Sequence, residues 1–301
     1  MTLPTTMKAM VTTGHGGLDK LVLHTDWPRP EAGPGQVLIR VGACGLNNTD
    51  INTRIGWYSK AVTGATTTDA AQNADSEDPS WGGKPIAFPR IQGADVCGRI
   101  VAVGDGVDAA RIGERVIGDC WLRDPADLND KRRTGYFGSE CDGGFAEYTV
   151  MPARNALAIR SDLSDAELAT FSCSYSTAEG MLTRAAVTDA DTVLVPGASG
   201  GVGGALVQLA KRRGARVIGL ASAPSTPRSG RWGRTLCCRA RLTIRAPRWR
   251  TRSSQCWPML SAVRLSRPCW TCWNAAGVIL ARARLPGRWC RWICARSTCA
   301  T

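Results

Sequence analysis

Acidic residues and lysine are absent from the last quarter of the chain. Residues 223–301 contain no Asp, Glu or Lys, yet they hold 16 of the 32 arginines, 8 of the 13 cysteines and 7 of the 11 tryptophans. Residues 1–222 carry 22 basic and 25 acidic side chains, so the formal charge of +13 comes entirely from the tail. Soluble globular domains mix charges of both signs. This composition therefore excludes an ordinary domain over residues 223–301.

Histidine and long apolar runs are also scarce. The chain has two histidines, His15 and His24, which limits the imidazole ligands available to a metal. No segment reaches the length of a membrane span, and the start MTLPTTMKAMVTTG lacks the basic and apolar regions of a signal peptide. The five cysteines before residue 223 are scattered and odd in number, which favours reduced thiols over a disulfide framework. We expect a cytoplasmic protein without a membrane segment.

A shift of reading frame in a GC-rich gene explains the tail most simply. Arg, Cys, Trp, Pro, Ala and Ser are the residues that GC-rich codons give when they are read out of register. Trp has a single codon. In the shifted frame, the third base of that codon and the first two bases of the next codon form a new codon, and at six places this new codon can encode only one residue. They are Gly at Trp232-Gly233, Ala at Trp257-Pro258, Asp at Trp270-Thr271, Glu at Trp273-Asn274, Val at Trp289-Cys290 and Asp at Trp292-Ile293. Acidic residues thus return, and we predict that residues 223–301 are a frameshifted, disordered tail without a native fold.

Taken literally, the tail has the composition of a nucleic-acid-binding arm or of a zinc module. Arginines neutralise phosphates and tryptophans stack on bases. The spacing Cys269-x2-Cys272 followed by Cys290-x3-Cys294 approaches that of a zinc ribbon. However, cysteines this frequent produce such spacings by chance, whereas the frame shift explains the missing acids, the missing lysines and the many tryptophans together. We favour the frame shift, so nucleic acid is not an expected partner.

Short strand patterns separated by turns dominate residues 1–157. The candidate strands are KAMVTT, QVLIRVGA, GRIVAVG, GERVIGD and GGFAEYTVMPA, with an Asp-Gly turn after the third. Residues 59–84 are small and polar without a sustained period, which predicts an exposed insertion. We predict a β-rich domain for this part of the chain.

The pattern changes after residue 158. A capping box at Ser164 and Glu167 predicts a helix, and DTVLVP, a glycine-rich loop, GVGGALVQLAKRRG and ARVIGLAS predict a β-loop-α-β unit. The loop consists of Gly197, Ala198, Ser199, Gly200, Gly201, Val202 and Gly203. Such glycines let the backbone approach a pyrophosphate at the helix N-terminus. Small residues also permit close helix-strand packing, but the position between a strand and a helix favours nucleotide binding.

These segments together carry a family resemblance. Six segments resemble the medium-chain dehydrogenase/reductase family, which includes alcohol dehydrogenases and quinone oxidoreductases. They are MKA at 7–9, QVLIRVGACGLNNTD at 36–50, GERV at 113–116, GGFAEYTVMPA at 143–153, STAEGML at 176–182 and GASGGVG at 197–203. The resemblance covers residues 7–222. It implies an α/β protein in which a GroES-like domain (1–157) precedes a Rossmann domain. Here the Rossmann domain (158–222) is truncated after its first β-loop-α-β unit.

The resemblance also allows a test for zinc. Zinc-dependent relatives place ligands at positions that read Asn47, Ala94 and Cys173 in this chain, so one of three candidates could bind the metal. A catalytic zinc normally needs three protein ligands. The structural-zinc lobe is missing as well, with only Cys120 and Cys141 in its region. We expect a zinc-free enzyme close to the quinone oxidoreductase branch; a zinc-dependent alcohol dehydrogenase with substituted ligands is the alternative.

Without a metal, hydrogen-bond donors must polarise the substrate oxygen. The resemblance places Asn47, Asn48 and Thr49 beside the nicotinamide, with Thr49 as the proton-relay hydroxyl. The same residues could instead complete a turn, in which Asp50 holds a structural hydrogen bond. Tyr58 is a further candidate donor, although an aromatic residue there could simply cap the core.

The cofactor is expected to bind through Thr177, the glycine loop and Ser222. NAD-binding relatives carry an acid at the end of the second Rossmann strand to bind the ribose hydroxyls. Ala221 and Ser222 stand there instead, and in the shifted frame Pro224-Ser225 can encode Lys, so the sequence favours NADPH over NADH. The resemblance therefore implies hydride transfer to a quinone, an enone or another small carbonyl compound. It allows a homo-oligomer for the in-frame protein, and we expect the chain as written to be inactive.

Resequencing of the source DNA across codons 215–230 tests the interpretation of the tail. We expect a one- or two-base insertion or deletion relative to a frame that encodes the acidic residues described above. The frame shift would be contradicted if the gene were uninterrupted and related genomic copies all encoded the same Arg- and Trp-rich tail.

Overall fold

A computed structural model describes residues 3–58, 85–128, 130 and 133–221, together with the backbone of 236–239, 278–285 and 288–295. The predicted insertion at 59–84, Ser222 and the rest of the tail lie outside the described residues. The chain divides into two compact units, one extending to Ser176 and one beginning at Thr177. This division lies later than the boundary predicted after residue 157, because the first helices of the following segment pack on the first unit.

The first unit is built mainly from short strands. Its strands are Thr6–Thr12 (β1), Leu21–Pro28 (β2), Gln36–Gly45 (β3), Arg90–Ile91 (β4), Asp95–Val103 (β5), Arg115–Gly118 (β6), Trp121–Leu122 (β7), Gly135–Tyr136 (β8), Tyr148–Pro152 (β9) and Ala156–Ala158 (β10). Its helices are Asn48–Arg54 (α1) and Asp165–Leu168 (α2), and Ser172–Arg184 (α3) begins in it. The five predicted strand segments are confirmed as β1, β3, β5, β6 and β9.

The strands form three antiparallel sheets. The largest has the order β10-β6-β5-β3-β9, a second has the order β2-β1-β4, and β7 pairs with β8. Apolar side chains from several strands fill the core of the largest sheet. They include Val37 and Ile39 of β3, Val96 and Ile100 of β5, and Met151 of β9, all 1% exposed or less. Burial of these β-branched and aliphatic side chains stabilises the GroES-like unit.

An ion pair connects the start of α2 to the largest sheet. Arg115 of β6 contacts the Asp165 carboxylate at 2.5 Å, and its guanidinium also donates to the carbonyls of Ser161 and Leu163. Leu168 packs against Cys97 in a small cluster on β5. The predicted capping box at Ser164 is present, but the helix ends after one turn and α3 starts separately at Ser172.

The second unit contains the predicted β-loop-α-β unit. Thr192–Pro196 (β11) leads through the glycine loop into Gly201–Arg212 (α4) and then into Arg216–Ala221 (β12). β11 and β12 are parallel neighbours, as expected for two strands joined by a crossover helix. The fold prediction for residues up to 221 is therefore confirmed.

The tail contributes backbone to the same sheet. Leu236–Arg239 (β13) pairs with β12, Arg288–Ala295 (β15) pairs with β11, and Val278–Leu285 (β14) pairs with β15, which gives the order β13-β12-β11-β15-β14. The open edges of β11 and β12 present N–H and C=O groups that any extended segment can bond. The rest of the tail, for which a native fold was not predicted, lies outside the described residues.

Among the described residues, no helix has both the length and the apolar character needed to cross a membrane.

Gly98→Ala tests the close approach of β5 to β3. A Cβ at Gly98 would lie 2.2 Å from the Arg40 carbonyl oxygen, so one strand must shift. We expect the free energy of unfolding in urea to fall by about 1–3 kcal/mol. Gly14→Ala is the control, because its Cβ meets nothing within 4 Å. Equal stability of the two variants would contradict this packing.

Candidate active site

The turn between β3 and α1 positions three of the predicted catalytic residues. Asn47 is the N-cap of α1, with an extended backbone, and its N–H donates to Asp50 Oδ2 at 2.8 Å. Thr49 is half-buried in the first turn, whereas Asn48 is exposed. Gly45 just before this turn must be glycine, because a Cβ would lie 2.1 Å from the Ala169 carbonyl oxygen. The site therefore lies where β3 and the α2–α3 connection meet closely.

A buried carboxylate of β5 organises this region. Asp95 is 1% exposed. Its Oδ2 accepts from Asn47 Nδ2 at 3.0 Å, and its Oδ1 accepts from the Cys173 backbone N–H at 2.7 Å. Asp95 thus brings together the starts of α1 and α3, which carry two of the three positions that zinc-dependent relatives use for the metal.

The donor set at these positions does not fit zinc. Ala94 offers no ligand atom, and each Asp95 oxygen already accepts a hydrogen bond, Oδ2 from Asn47 Nδ2 and Oδ1 from the Cys173 N–H. Cys173 Sγ accepts a hydrogen bond from the Tyr136 hydroxyl at 3.1 Å, and burial raises the pKa of its thiol to about 12. Zinc binds the thiolate. Over the described parts of the chain, no group of three or more His, Cys, Asp or Glu side chains is arranged to hold a metal ion.

Tyr58 joins the site through Thr49. Its hydroxyl lies 3.1 Å from Thr49 Oγ1, and its ring packs edge-on against Trp57 at 5.5 Å between centroids. Burial raises the pKa of the Tyr58 hydroxyl, while hydrogen bonds with Thr49 and Asn52 act in the opposite direction. Tyr58 is thus a protonated hydroxyl at neutral pH, bonded to the residue that the resemblance assigns to proton relay.

Two buried carboxyl groups lie close together behind these residues. Burial is the main cause that raises the pKa of Asp50 and of Asp95, each to about 6. The charge of Asp95 raises the pKa of Asp50 further, while the hydrogen bond that Asp50 accepts from the Asn47 N–H lowers the pKa of Asp50. Both carboxyls therefore titrate near neutrality.

The glycine loop of the second unit has the geometry of an anion-binding turn. Gly197 has a positive φ of 65°, and Gly200 is the N-cap of α4. A Cβ at Gly203 would lie 2.1 Å from the Gly197 carbonyl oxygen, so this position must be glycine for the loop to fold onto the helix. Ser199, Gly200 and the neighbouring Gly201 are exposed, and Ala198 is 4% exposed. The first N–H groups of a helix have no partner within it, so those of α4 can bind a phosphate.

The remaining cofactor residues are less constrained. Val202 is half-buried in the first turn of α4, and Thr177 is half-buried within α3. Ser222 lies just after β12, outside the described residues. Their roles in cofactor binding stay predictions.

Comparison with known proteins agrees with these features. Residues 33–161 match the model of the alcohol dehydrogenase GroES-like domain. Quinone oxidoreductase from Homo sapiens is 31% identical over 216 residues, which cover 71% of this chain and 53% of that protein. The 2-methylene-furan-3-one reductase from Solanum lycopersicum is 29% identical over 231 residues, 77% of this chain and 50% of that protein. The chain therefore spans about half the length of these relatives.

A solved structure supports the same assignment. A protein from Sinorhizobium meliloti 1021, assigned as an alcohol dehydrogenase, is 49% identical and superposes with a TM-score of 0.63. The match covers 73% of this chain and 58% of that one. The matching segment belongs to the medium-chain dehydrogenase/reductase family. The GroES-like first unit and the βαβ second unit are the two parts that this family joins.

Sequence reasoning missed one residue of this candidate site. Asp95 stood in the motif GAD, but its role depends on contact with Cys173, 78 residues away. An acid directly after the metal-ligand position was the available signal.

The two raised carboxyl pKa values predict a pH-dependent stability. Their folded pKa of about 6 lies above the reference value of 3.8, so the folded chain retains these protons to higher pH than the unfolded chain. Stability from these groups is therefore complete below the unfolded pKa and is lost as pH rises through about 6. We expect a lower free energy of unfolding in urea at about pH 7 than at about pH 5.

Asp95→Asn should reduce this pH dependence, because the amide does not titrate. Asp26→Asn, at an exposed position on β2, is the control and should leave it unchanged. A wild-type unfolding free energy that stays constant or rises over this pH range would contradict the burial of the two carboxyls.

Proposed function

We propose that the protein, read in the frame that restores residues 223–301, is an NAD(P)H-dependent oxidoreductase that reduces a quinone, an enone or another small carbonyl compound without zinc. One observation carries the proposal: at the positions where zinc-dependent relatives hold the metal, Asp95 bonds the Asn47 amide and the Cys173 N–H. The site is thus organised by a protein carboxylate, and the substrate oxygen must be polarised by hydrogen-bond donors.

The relatives support this substrate class. One is named a quinone oxidoreductase, and another is named as a reductase of a methylene-furanone, whose carbonyl is conjugated to a carbon-carbon double bond. In both compounds, reduction places negative charge on an oxygen. Thr49 in the first turn of α1 is suited to donate to that oxygen, as is the second Nδ2 proton of Asn47, whose other proton is bonded to Asp95, since donors aimed at developing charge stabilise the transition state.

The cofactor would be held by the second unit. A bound nicotinamide cofactor supplies the hydride. The backbone N–H groups of the first turn of α4 would bind its pyrophosphate, whereas those of Ala198 and Gly200 already donate to the Leu220 and Gly197 carbonyls. At the end of β12, Ala221 and Ser222 replace the acid that selects NAD, which supports NADPH over NADH.

The chain as written differs from this reductase after residue 222. Its tail lacks the acidic and lysine residues expected in the remaining Rossmann strands and helices. We propose that this form is inactive, because those elements supply the adenine pocket and part of the nicotinamide site in the family.

The test compares both forms in an NADPH-oxidation assay with a benzoquinone and with a cyclic enone. We expect turnover by the frame-restored chain, a preference for NADPH over NADH and no change on chelation of zinc. Thr49→Val should lower kcat by about 10² or more, because removal of a proton-transfer group typically costs that much. Tyr148→Phe, a hydroxyl deletion on β9, is the control.

Loss of turnover on chelation, with recovery on adding zinc, would instead favour the zinc-dependent alternative. Salt-dependent binding of the 301-residue chain to DNA, absent from the frame-restored chain, would favour a nucleic-acid-binding tail.

A further inference from the structure

A buried glutamine joins three elements of the first unit beside the candidate active site. Gln92 directly follows β4 and is 3% exposed. Its Oε1 accepts from the Thr12 hydroxyl of β1 at 2.8 Å, and its Nε2 donates to the Asp50 carbonyl of α1 at 3.0 Å. Thr12 and Asp50 are themselves buried, at 1% and 7% exposed. Gln92 therefore links β1 and β4 to the helix that begins at the predicted catalytic residues.

The chemistry of the two partners fixes the orientation of the Gln92 amide. A backbone carbonyl can only accept a hydrogen bond, so the amide atom that faces the Asp50 carbonyl must be the nitrogen. The amide oxygen then faces Thr12, whose hydroxyl has the proton for that bond. If the amide were turned over, its oxygen would face the Asp50 carbonyl and two acceptors would meet. Gln92 is thus a donor to α1.

The backbone of Gln92 is held in place as well. Its carbonyl accepts from the Phe145 N–H at 2.9 Å. The next residue, Gly93, has a φ of 100°, and a Cβ there would lie 2.7 Å from Cys44 Sγ. The Gln92 side chain therefore starts from a backbone segment with little room to shift, so it can hold the peptide that it bonds.

The Gln92 bond attaches the first turn of α1 to the sheet. Within the turn, the Asp50 side chain accepts from the Asn47 N–H at 2.8 Å, and the Asp50 N–H donates to the Asn47 carbonyl at 3.1 Å. These two bonds close the turn on itself. Gln92 attaches the turn at its Asp50 end, and Asp95 attaches it at the Asn47 side chain. Thr49 lies between the two attachments.

We propose that Gln92 is a positioning residue, which donates to the Asp50 carbonyl and so holds the first turn of α1 with the Thr49 hydroxyl directed to the substrate oxygen. The catalytic part rests on the proposed function, whereas the attachment of α1 does not. Gln92 transfers no proton, because an amide does not titrate near neutral pH. It acts through the position of Thr49, since a small displacement of a catalytic group lowers the rate steeply.

Gln92→Glu tests the proposal, because its side chain keeps the same shape in two protonation states. A protonated Glu can donate to the Asp50 carbonyl and accept from Thr12, as the glutamine does, whereas an ionised Glu can only accept. The variant should therefore match the unaltered chain at low pH and lose the attachment of α1 at high pH. This comparison separates the hydrogen bond from a general effect of the substitution on folding.

Hydrogen exchange of the full 301-residue chain, read by mass spectrometry, measures the attachment without substrate or cofactor. In Gln92→Glu, we expect a peptide covering α1 to be protected as in the unaltered chain at about pH 5 and about tenfold less at about pH 8, as the loss of one buried hydrogen bond implies. Peptides of β3 and β5 should be unchanged. The unaltered chain is measured at both pH values, because Asp50 and Asp95 also titrate in this range. Full protection of α1 at both pH values, or an equal loss at both, would overturn the proposal.

Gln92→Met is a second variant that introduces no charge. Its side chain has a similar length but no donor, so α1 should lose protection at both pH values while β3 and β5 stay protected. Unchanged protection of α1 in this variant would also refute the attachment.

Gln36→Glu is the matched control. Gln36 of β3 is half-buried, and its Oε1 accepts from the Gly33 N–H at 3.0 Å. Because an ionised Glu still accepts, this bond persists at high pH. The exchange of α1 in this variant should therefore follow the unaltered chain.

Turnover of the frame-restored chain with a benzoquinone and NADPH tests the catalytic part. Between about pH 5 and about pH 8, we expect the kcat of Gln92→Glu to fall by about tenfold or more relative to the unaltered chain, with an unchanged KM for NADPH, because the second unit would bind the cofactor. An unchanged kcat together with reduced protection of α1 would contradict the positioning role. If the unaltered chain showed no turnover, the proposed function would fail, and the exchange measurement would still decide whether Gln92 holds α1.

Discussion

The hydrogen bonds to the buried Asp95 carboxylate are the interaction on which the candidate site depends. One oxygen receives the Asn47 amide and the other the Cys173 N–H, so β5, α1 and α3 are tied at one point. A buried carboxylate is costly unless its lone pairs are bonded, and this cost explains why the donors are held in place. Asp95 therefore positions the Asn47 amide and the start of α3 relative to β5.

The second unit depends on a different constraint, which is the close approach of backbone to backbone. Gly203 permits the glycine loop to fold against the start of α4, and the loop connects two parallel strands. A parallel pair has open edges on both sides and gains stability when further strands cover them. In this chain β13 pairs with β12 and β15 pairs with β11, so segments after residue 222 cover both edges of the pair.

Local patterns in the sequence predicted the strands and the glycine loop, because alternating apolar residues and glycine spacing are local features. They did not reveal β2, whose side chains are mostly exposed, or α1, whose residues NTDINTR include a single apolar side chain, Ile51. Asn47 and Thr49 were predicted from the family resemblance and Tyr58 from its position before the insertion, and the structure places the Tyr58 hydroxyl against Thr49. Asp95 could not be assigned, since its role comes from partners brought near by folding. The cofactor roles of Thr177 and Ser222 stay predictions.

Zinc-edge anomalous diffraction from crystals soaked in a zinc salt tests the central claim most directly. The account predicts no anomalous peak between Asn47, Asp95 and Cys173, with Asp95 still bonded to the Asn47 amide and the Cys173 N–H. An ordered peak about 2.3 Å from Cys173 Sγ, the usual zinc-thiolate distance, would contradict it.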